Sequence, residues 1–400
     1  MNASTATHNH TTHNDTTSTR TGPIRTHLTP GRMTRDQRLI GWFAALALFA
    51  AGLVSVGITG SAPPTIPVLS RNVAVGPDGV LSLQFVGNTM VGGPLQGLID
   101  QRGYDFPFAA VKADTQAADF VVASAEAPIT EILQRTGPAT RSLTSRPPAA
   151  SALARAGVDA LTLASEPVFD TGPRGLTDSI TNAEKAGLAT FGAGPDLNRA
   201  QQPLLLRTEV GTIGLIGMGD SPHDRARDLV PGMMVLSPGA IIRQRDIAKA
   251  GGADWVVAVV HWGPNYETVQ PEQRYWAKLF ADAGYDLVVG SGPRITQPIE
   301  TLGEMPVIYS LGNFVYGTKG RFEELADRGF GLSVGLEFVP HQAPKVTVRC
   351  LLADNRRTGF QPSYCNPQQS ASFLPVLGDL HVQGNRAVLT REFRVRREAS

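Results

Sequence analysis

Two periodicities divide the apolar residues of this chain. In VLSLQFVG (residues 80–87), Leu81, Leu83 and Phe85 alternate with Ser82 and Gln84, the two-residue period of a half-buried strand. Phe120–Ala123, Leu161–Ala164, Trp255–Val260, Leu287–Val289 and Val307–Tyr309 are short continuous apolar runs, as expected of strands covered on both faces. Leu204–Met218 reads as a hairpin turning near Val210 and Gly211. Helical spacing occupies roughly residues 148–156, 174–186, 238–251 and 271–284. Near the end, GLSVGLEFV (331–339) and KVTVRCLL (345–352) form an adjacent, antiparallel-like pair of strands. The alternation predicts an α/β domain with a mixed sheet, or two sheets, carrying helices on its faces.

The pattern is different before residue 78. Residues 39–59, LIGWFAALALFAAGLVSVGIT, carry no charge and no polar face, enough apolar length for one transmembrane helix. Arg32, Arg35 and Arg38 precede it and no basic residue follows until Arg71, so the N-terminus is expected in the cytoplasm and the C-terminal domain outside it. A cleaved signal peptide is the rival reading, since Gly60-Ser61-Ala62 resembles a small-residue cleavage site; the long lead and span favour an uncleaved anchor. Residues 1–38, rich in Thr, Asn, His and Arg, have the composition of a disordered tail. Residues 60–77, rich in Pro and small residues, read as a linker, which leaves 78–400 as the outer domain.

Composition narrows the function classes. With 36 basic and 35 acidic residues there is no overall field to attract nucleic acid. The two cysteines, Cys350 and Cys365, flank a polar stretch. In an oxidising compartment a bridge between them is the expectation, with two free thiols as the alternative. Neither has a partner at zinc-ligand spacing.

In such folds chemistry gathers at the carboxyl ends of strands. Here those ends read GNTM (87–90), SAEAP (124–128), ASEPVFDTG (164–172), GMGDSPHD (217–224), HWGPNYE (261–267), GSGPR (290–294) and SLGNF (310–314). Together with FGAGPDLNRA (191–200), QPIE (297–300) and YSLGNFVYG (309–317), this order resembles the CapA family of poly-γ-glutamate capsule biosynthesis proteins over about residues 80–317. The resemblance implies a metallophosphatase-like α/β/β/α sandwich. In that family the strand ends read Gly-Asp, Asn-Leu-Glu, Asn-Asn-His and Gly-His-His-Pro-His. Here the same places hold Gly87-Asn88, Ser124-Ala125-Glu126, Ser165-Glu166-Pro167 and Gly290-Ser291-Gly292-Pro293-Arg294.

A two-metal hydrolytic site needs carboxylates and imidazoles around two cations. Asn88 removes a charge beside a dication, Ser and Gly cannot replace imidazole, and Arg294 repels a cation. The expectation is a degenerate site with no cofactor. The alternative is a single divalent metal on Glu126, Glu166 and His261, with His261 as the candidate catalytic group. Asp220, His223 and Asp224 also have ligand-like types, but a polar turn accounts for them. Asn88, Arg294 and Asn313 are the candidate ligand-binding residues. The resemblance therefore implies a membrane-anchored protein of envelope or capsular polymer biosynthesis with a binding or assembly role, its partner an anionic polymer or precursor. The alternatives are an active metal-dependent hydrolase or phosphoesterase with rewired ligands, and a structural envelope protein whose cleft binds nothing.

Overall fold

The computed structural model describes residues 67–133, 143–322, 329–339 and 342–389. These all fall within one compact unit, Thr65–Ser400. The expected tail at 1–38 and apolar span at 39–59 lie outside the described residues. Among the described residues, no helix is long and apolar enough to cross a membrane.

In chain order the first strands are β1 (Leu69–Asn72), β2 (Leu81–Met90), β3 (Phe120–Ala125), β4 (Ala160–Thr162), β5 (Ala189–Phe191) and β6 (Ala193–Gly194). Next come β7 (Leu204–Thr208), β8 (Gly211–Gly219), β9 (Gly232–Met233), β10 (Trp255–His261), β11 (Leu287–Ser291), β12 (Ile299–Leu302) and β13 (Met305–Ile308). The last are β14 (Asn313–Tyr316), β15 (Phe330–Phe338), β16 (Lys345–Leu352), β17 (Ser363–Tyr364), β18 (Leu380–Gln383) and β19 (Arg386–Leu389). Four helices matter for packing: α1 (Pro148–Arg155), α2 (Gly172–Lys185), α3 (Pro238–Ala250) and α4 (Pro271–Ala283). They lie where the helical spacing placed them. Pro at the first turn of each main helix sets φ without losing a bond, and Ser237 caps α3 by accepting from the Ala240 amide.

The strands build two mixed sheets. One runs β1-β7-β8-β10-β11-β13-β12, and the other runs β18-β19-β16-β15-β2-β3-β4-β5 with β14 and β17 paired at its side. The Leu204–Met218 hairpin is β7-β8, and β15-β16 is antiparallel as the pattern suggested.

Strand alternation fixes the layers. Leu81, Leu83 and Phe85 of one sheet share a central core with Val257, Val259, Leu287 and Val289 of the other. Val86, Val121 and Ala123 face outward beneath Leu153 of α1 and Leu176 and Ile180 of α2. Val256, Ala258 and Val260 face the other way, onto Ile241 of α3 and Phe280 of α4. The layers stack as α/β/β/α. Each fully buried Val or Leu contributes about 1.5–3 kcal/mol, so the three apolar layers dominate stability.

Two expectations are corrected. β2 is not half-buried: only Ser82 is partly exposed, and Gln84 is buried because its Nε2 donates to Ser333 Oγ at 2.6 Å and Tyr364 Oη at 2.9 Å. The donor on that face is met by side chains rather than by solvent, while Gln84 Oε1 has no partner among the described residues. Residues 60–77 are not linker throughout either, because β1 pairs in parallel with β7, Leu69 opposite Leu204. A short segment of weak propensity becomes a strand where a sheet edge offers unpaired backbone groups.

Cys350 and Cys365 are joined in a disulfide with their Cα atoms 5.3 Å apart, both buried in the central core. A loop of this length stabilises by about 3 kcal/mol. Reduction under native conditions should therefore lower the melting temperature by several degrees, and calorimetry with and without reductant checks it. A melting temperature indifferent to reductant contradicts it.

Candidate functional site

The cleft lies where both sheets end, and three polar contacts cross it. Glu126 follows β3, its backbone N–H held by the Thr89 carbonyl at 2.9 Å. His261 is the last residue of β10 in the opposite sheet. The Glu126 Oε1 lies 2.7 Å from His261 Nε2, with the side chains 1% and 11% exposed. Ser124 Oγ of β3 and Ser291 Oγ of β11 are 2.8 Å apart and buried. The Asn88 side chain makes a double contact with one residue's backbone: its Oδ1 accepts from Gly292 N–H at 3.1 Å and its Nδ2 donates to the Gly292 carbonyl at 3.3 Å. An aspartate there would meet that carbonyl with no donor. The amide at 88 is matched to its backbone partner.

Burial works against the His261 imidazolium. The Glu126 charge and hydrogen bond, with smaller help from Asp220 and Glu166, outweigh it and hold the pKa above the ordinary value. The remaining sequence candidates fall on different parts of the rim. Glu166 is exposed on a 3-10 turn, Glu166–Phe169, so its charge reaches His261 from outside rather than as a hydrogen-bonded partner. Asn313 opens β14, buried and in register with Asn88, and its Oδ1 has no hydrogen-bond partner among the described residues. Arg294 has its guanidinium 5.3 Å from the centre of the Tyr316 ring. Burial opposes the Arg294 charge, and Tyr316, Glu126 and Tyr266 together hold its pKa above the usual value.

In GDSPHD, Asp220 accepts from Gly263 N–H at 2.8 Å and Asp224 from Ser221 Oγ at 2.6 Å, while His223 is exposed. That segment is a turn that positions the His261 loop. Tyr266, Tyr316 and the Ser124–Ser291 pair were not among the candidates read from sequence. Only their place within the strand-end stretches pointed to them.

Among the described residues, no group of three or more His, Cys, Asp and Glu side chains is arranged to hold a metal ion. Within the cleft the Nε2 of His261 is paired with Glu126, Asn88 with Gly292 and Ser124 with Ser291, while His261 Nδ1 and Asn313 Oδ1 have no hydrogen-bond partner among the described residues. This set does not fit a pair of divalent cations.

The fold and cleft thus define a four-layer α/β domain whose strand-end site is closed by side chains from both sheets. The profile of the family described as bacterial capsule synthesis protein PGA_cap matches residues 82–318, more than half of the chain, and the chain belongs to that family. It is 31% identical over 244 residues to the PGA biosynthesis protein CapA of Bacillus subtilis, covering 60% of this chain and 64% of that one. It is 28% identical over 245 residues to the capsule biosynthesis protein CapA of Bacillus anthracis, covering 59% and 60%. A probable polyglutamine synthesis accessory protein of Mycobacterium tuberculosis is 30% identical over 174 residues, 40% of this chain and 45% of that one. The chain thus spans less than two thirds of the length of these relatives. Among solved structures, Haemophilus influenzae NAD nucleotidase aligns with a TM-score of 0.39 at 12% identity, over 74% of this chain and 55% of that one. The TT1561 protein of Thermus thermophilus aligns with a TM-score of 0.38 at 14% identity, over 64% and 94%.

Removing Glu126 leaves a buried imidazole that has lost its hydrogen-bond partner and can shed its proton, so Glu126→Ala should cost about 1–3 kcal/mol in denaturant unfolding. The pH dependence follows from the raised pKa of His261. Its stabilisation is complete below the unfolded value of about 6.5 and is lost as pH rises through the higher folded value. The stability gap between the protein and a His261→Gln variant should therefore narrow from mildly acidic to alkaline solution. A gap that widens with pH contradicts the assignment.

Proposed function

We propose that this protein serves capsular or envelope polymer biosynthesis of the poly-γ-glutamate type, as a binding or assembly component rather than a two-metal hydrolase. Family membership and the names of the relatives support the biological setting. The observation that carries the mechanistic half is the buried Glu126–His261 pair, which uses on each other the two groups a metal would need. Asn88 and Ser291 extend the same logic, each filling a ligand position with a group matched to the opposite sheet.

In this reading the apolar span at 39–59 holds the chain in the cytoplasmic membrane and the folded domain works outside the cytoplasm, where the Cys350–Cys365 bridge is stable. The partner is an anionic polymer or its precursor. Carboxylate chains are recognised by arginine, and Arg225 and Arg227 are exposed on the segment after β8, at the end of the sheet that carries His261.

Three experiments test it. The full chain, purified in detergent, should carry far less than one equivalent of divalent metal by elemental analysis. It should bind γ-linked glutamate oligomers with an affinity that falls steeply with salt, and Arg225→Ser with Arg227→Ser should weaken that binding severalfold. Stoichiometric metal with phosphoester or polyglutamate turnover that His261→Ala abolishes would replace this reading with the rewired hydrolase. A reporter fused after Ser400 should be active only outside the cytoplasm, and activity inside removes the anchor.

A further inference from the structure

A cavity of about 630 Å³ opens at the other end of the sheet that carries His261. It lies between α3, α4 and the turn joining β12 to β13, beside Asp254 and Asp286, which immediately precede β10 and β11. The length of β10, roughly 20 Å, separates it from the Glu126–His261 contact. Its volume falls within the range of about 300–1,000 Å³ typical of small-molecule sites.

Helical spacing builds the walls. Arg245 and Lys249 on α3, like Arg274 and Lys278 on α4, are four residues apart, so each pair shares one helix face and both pairs line the cavity. The floor between them is apolar. Tyr285, Met305 and Tyr309 are buried there, and Tyr285 is held by its Oη donating to the Ile241 carbonyl at 2.9 Å.

Most of the charge around that floor already has a partner. Arg274 binds Glu300 at 2.6 Å and Lys278 binds Asp282 at 2.6 Å. The Asp254 and Asp286 carboxylates accept from the backbone N–H groups of Thr212 and Val256, at 2.8 Å and 2.7 Å. Three charged groups are left. Lys249 makes one hydrogen bond, to the Asp254 carbonyl at 2.9 Å, and keeps two of its three donors. Arg245 has a buried Nε with no hydrogen-bond partner among the described residues, its ion pair with the exposed Asp246 being a surface contact of little strength. Glu304, exposed on the turn, makes no hydrogen bond or ion pair among the described residues.

We propose that this cavity is a second ligand site, one that takes a glutamate-type amino acid. Two carboxylates face Arg245 and Lys249, one ammonium faces Glu304, and the methylenes between them cover Tyr285 and Met305. The carboxylates already around the cavity repel a long polyanion, so a monomer enters where the body of a polymer does not. The inference rests on the polymer reading above only for naming glutamate among zwitterions of this charge pattern.

The test is calorimetric titration of the full chain in detergent with free glutamate, glutarate and N-acetylglutamate. Glutamate should bind saturably at millimolar concentration or below. Glutarate, which lacks the ammonium, and N-acetylglutamate, in which it is blocked, should bind about tenfold more weakly. Lys249→Gln should weaken all three ligands, whereas Glu304→Gln should weaken glutamate alone and so narrow its margin over glutarate. Both residues are exposed, so neither variant endangers the fold. No saturable binding of glutamate overturns the proposal. So does glutarate binding as tightly as glutamate, or glutamate binding indifferent to both variants. Oligomer binding that responds to Arg225→Ser with Arg227→Ser is a separate measurement, so a failure here leaves the polymer reading standing, and the loss of oligomer binding leaves this cavity to be judged by glutamate alone.

Discussion

The contact between Glu126 and His261 is the constraint on which this end of the molecule depends. Elsewhere the two sheets are held by an apolar core that is strong but carries little directional information. At the strand ends that core runs out, and polar side chains must either meet solvent or meet each other. A 2.7 Å charge-assisted bond between a 1% exposed carboxylate and an imidazole fixes the separation and register of β3 and β10 there. The Ser124–Ser291 and Asn88–Gly292 contacts cross the same gap between the sheets.

One segment converts this local closure into topology. After β13 in one sheet, the run Tyr309-Ser310-Leu311-Gly312 crosses to β14 in the other. On the way the Leu311 N–H donates to the Gly290 carbonyl, the Leu311 carbonyl accepts from the Leu332 N–H, and the Gly312 carbonyl accepts from the Asn88 N–H. Gly312 turns with φ 66°, and a Cβ on Gly87 would overlap the Gly312 carbonyl oxygen. Those two glycines let the crossing strand lie directly against β2. The words GN at 87–88 and SLGNF at 310–314 are therefore two sides of one backbone junction, which explains their pairing independently of any chemistry.

Much of the scaffold was legible beforehand because it depends on local periodicity. Trp255–Val260 and Leu287–Val289 are apolar on both sides, and they became central strands between a helix layer and a second sheet. The helix at 271–284 could be read from its spacing and its Pro271 start, and it ends at Gly284 in the left-handed conformation. Gln84 misled, since a polar residue at a strand's alternate position signals solvent unless something unseen covers it, and its partners Ser333 and Tyr364 lie 249 and 280 residues away.

The sequence by itself determined the α/β alternation, the helix positions, the family frame and the substitutions at its polar words, because each is a matter of neighbouring residues and spacing. Only the tertiary structure decided what the substituted residues do. Glu126 and His261 are 135 positions apart, and nothing local in the sequence foretells their 2.7 Å contact. Glu166 shows the same limit: its type made it a candidate, and only the fold placed it exposed on a 3-10 turn. Arg294, chosen from sequence for its charge alone, lies against Tyr316, within the field of Glu126, because two loops adopt left-handed backbone at Tyr266 and Arg294. That geometry follows from where β10 and β11 end relative to β3 and β14, and such distances are set by packing, not by spacing along the chain.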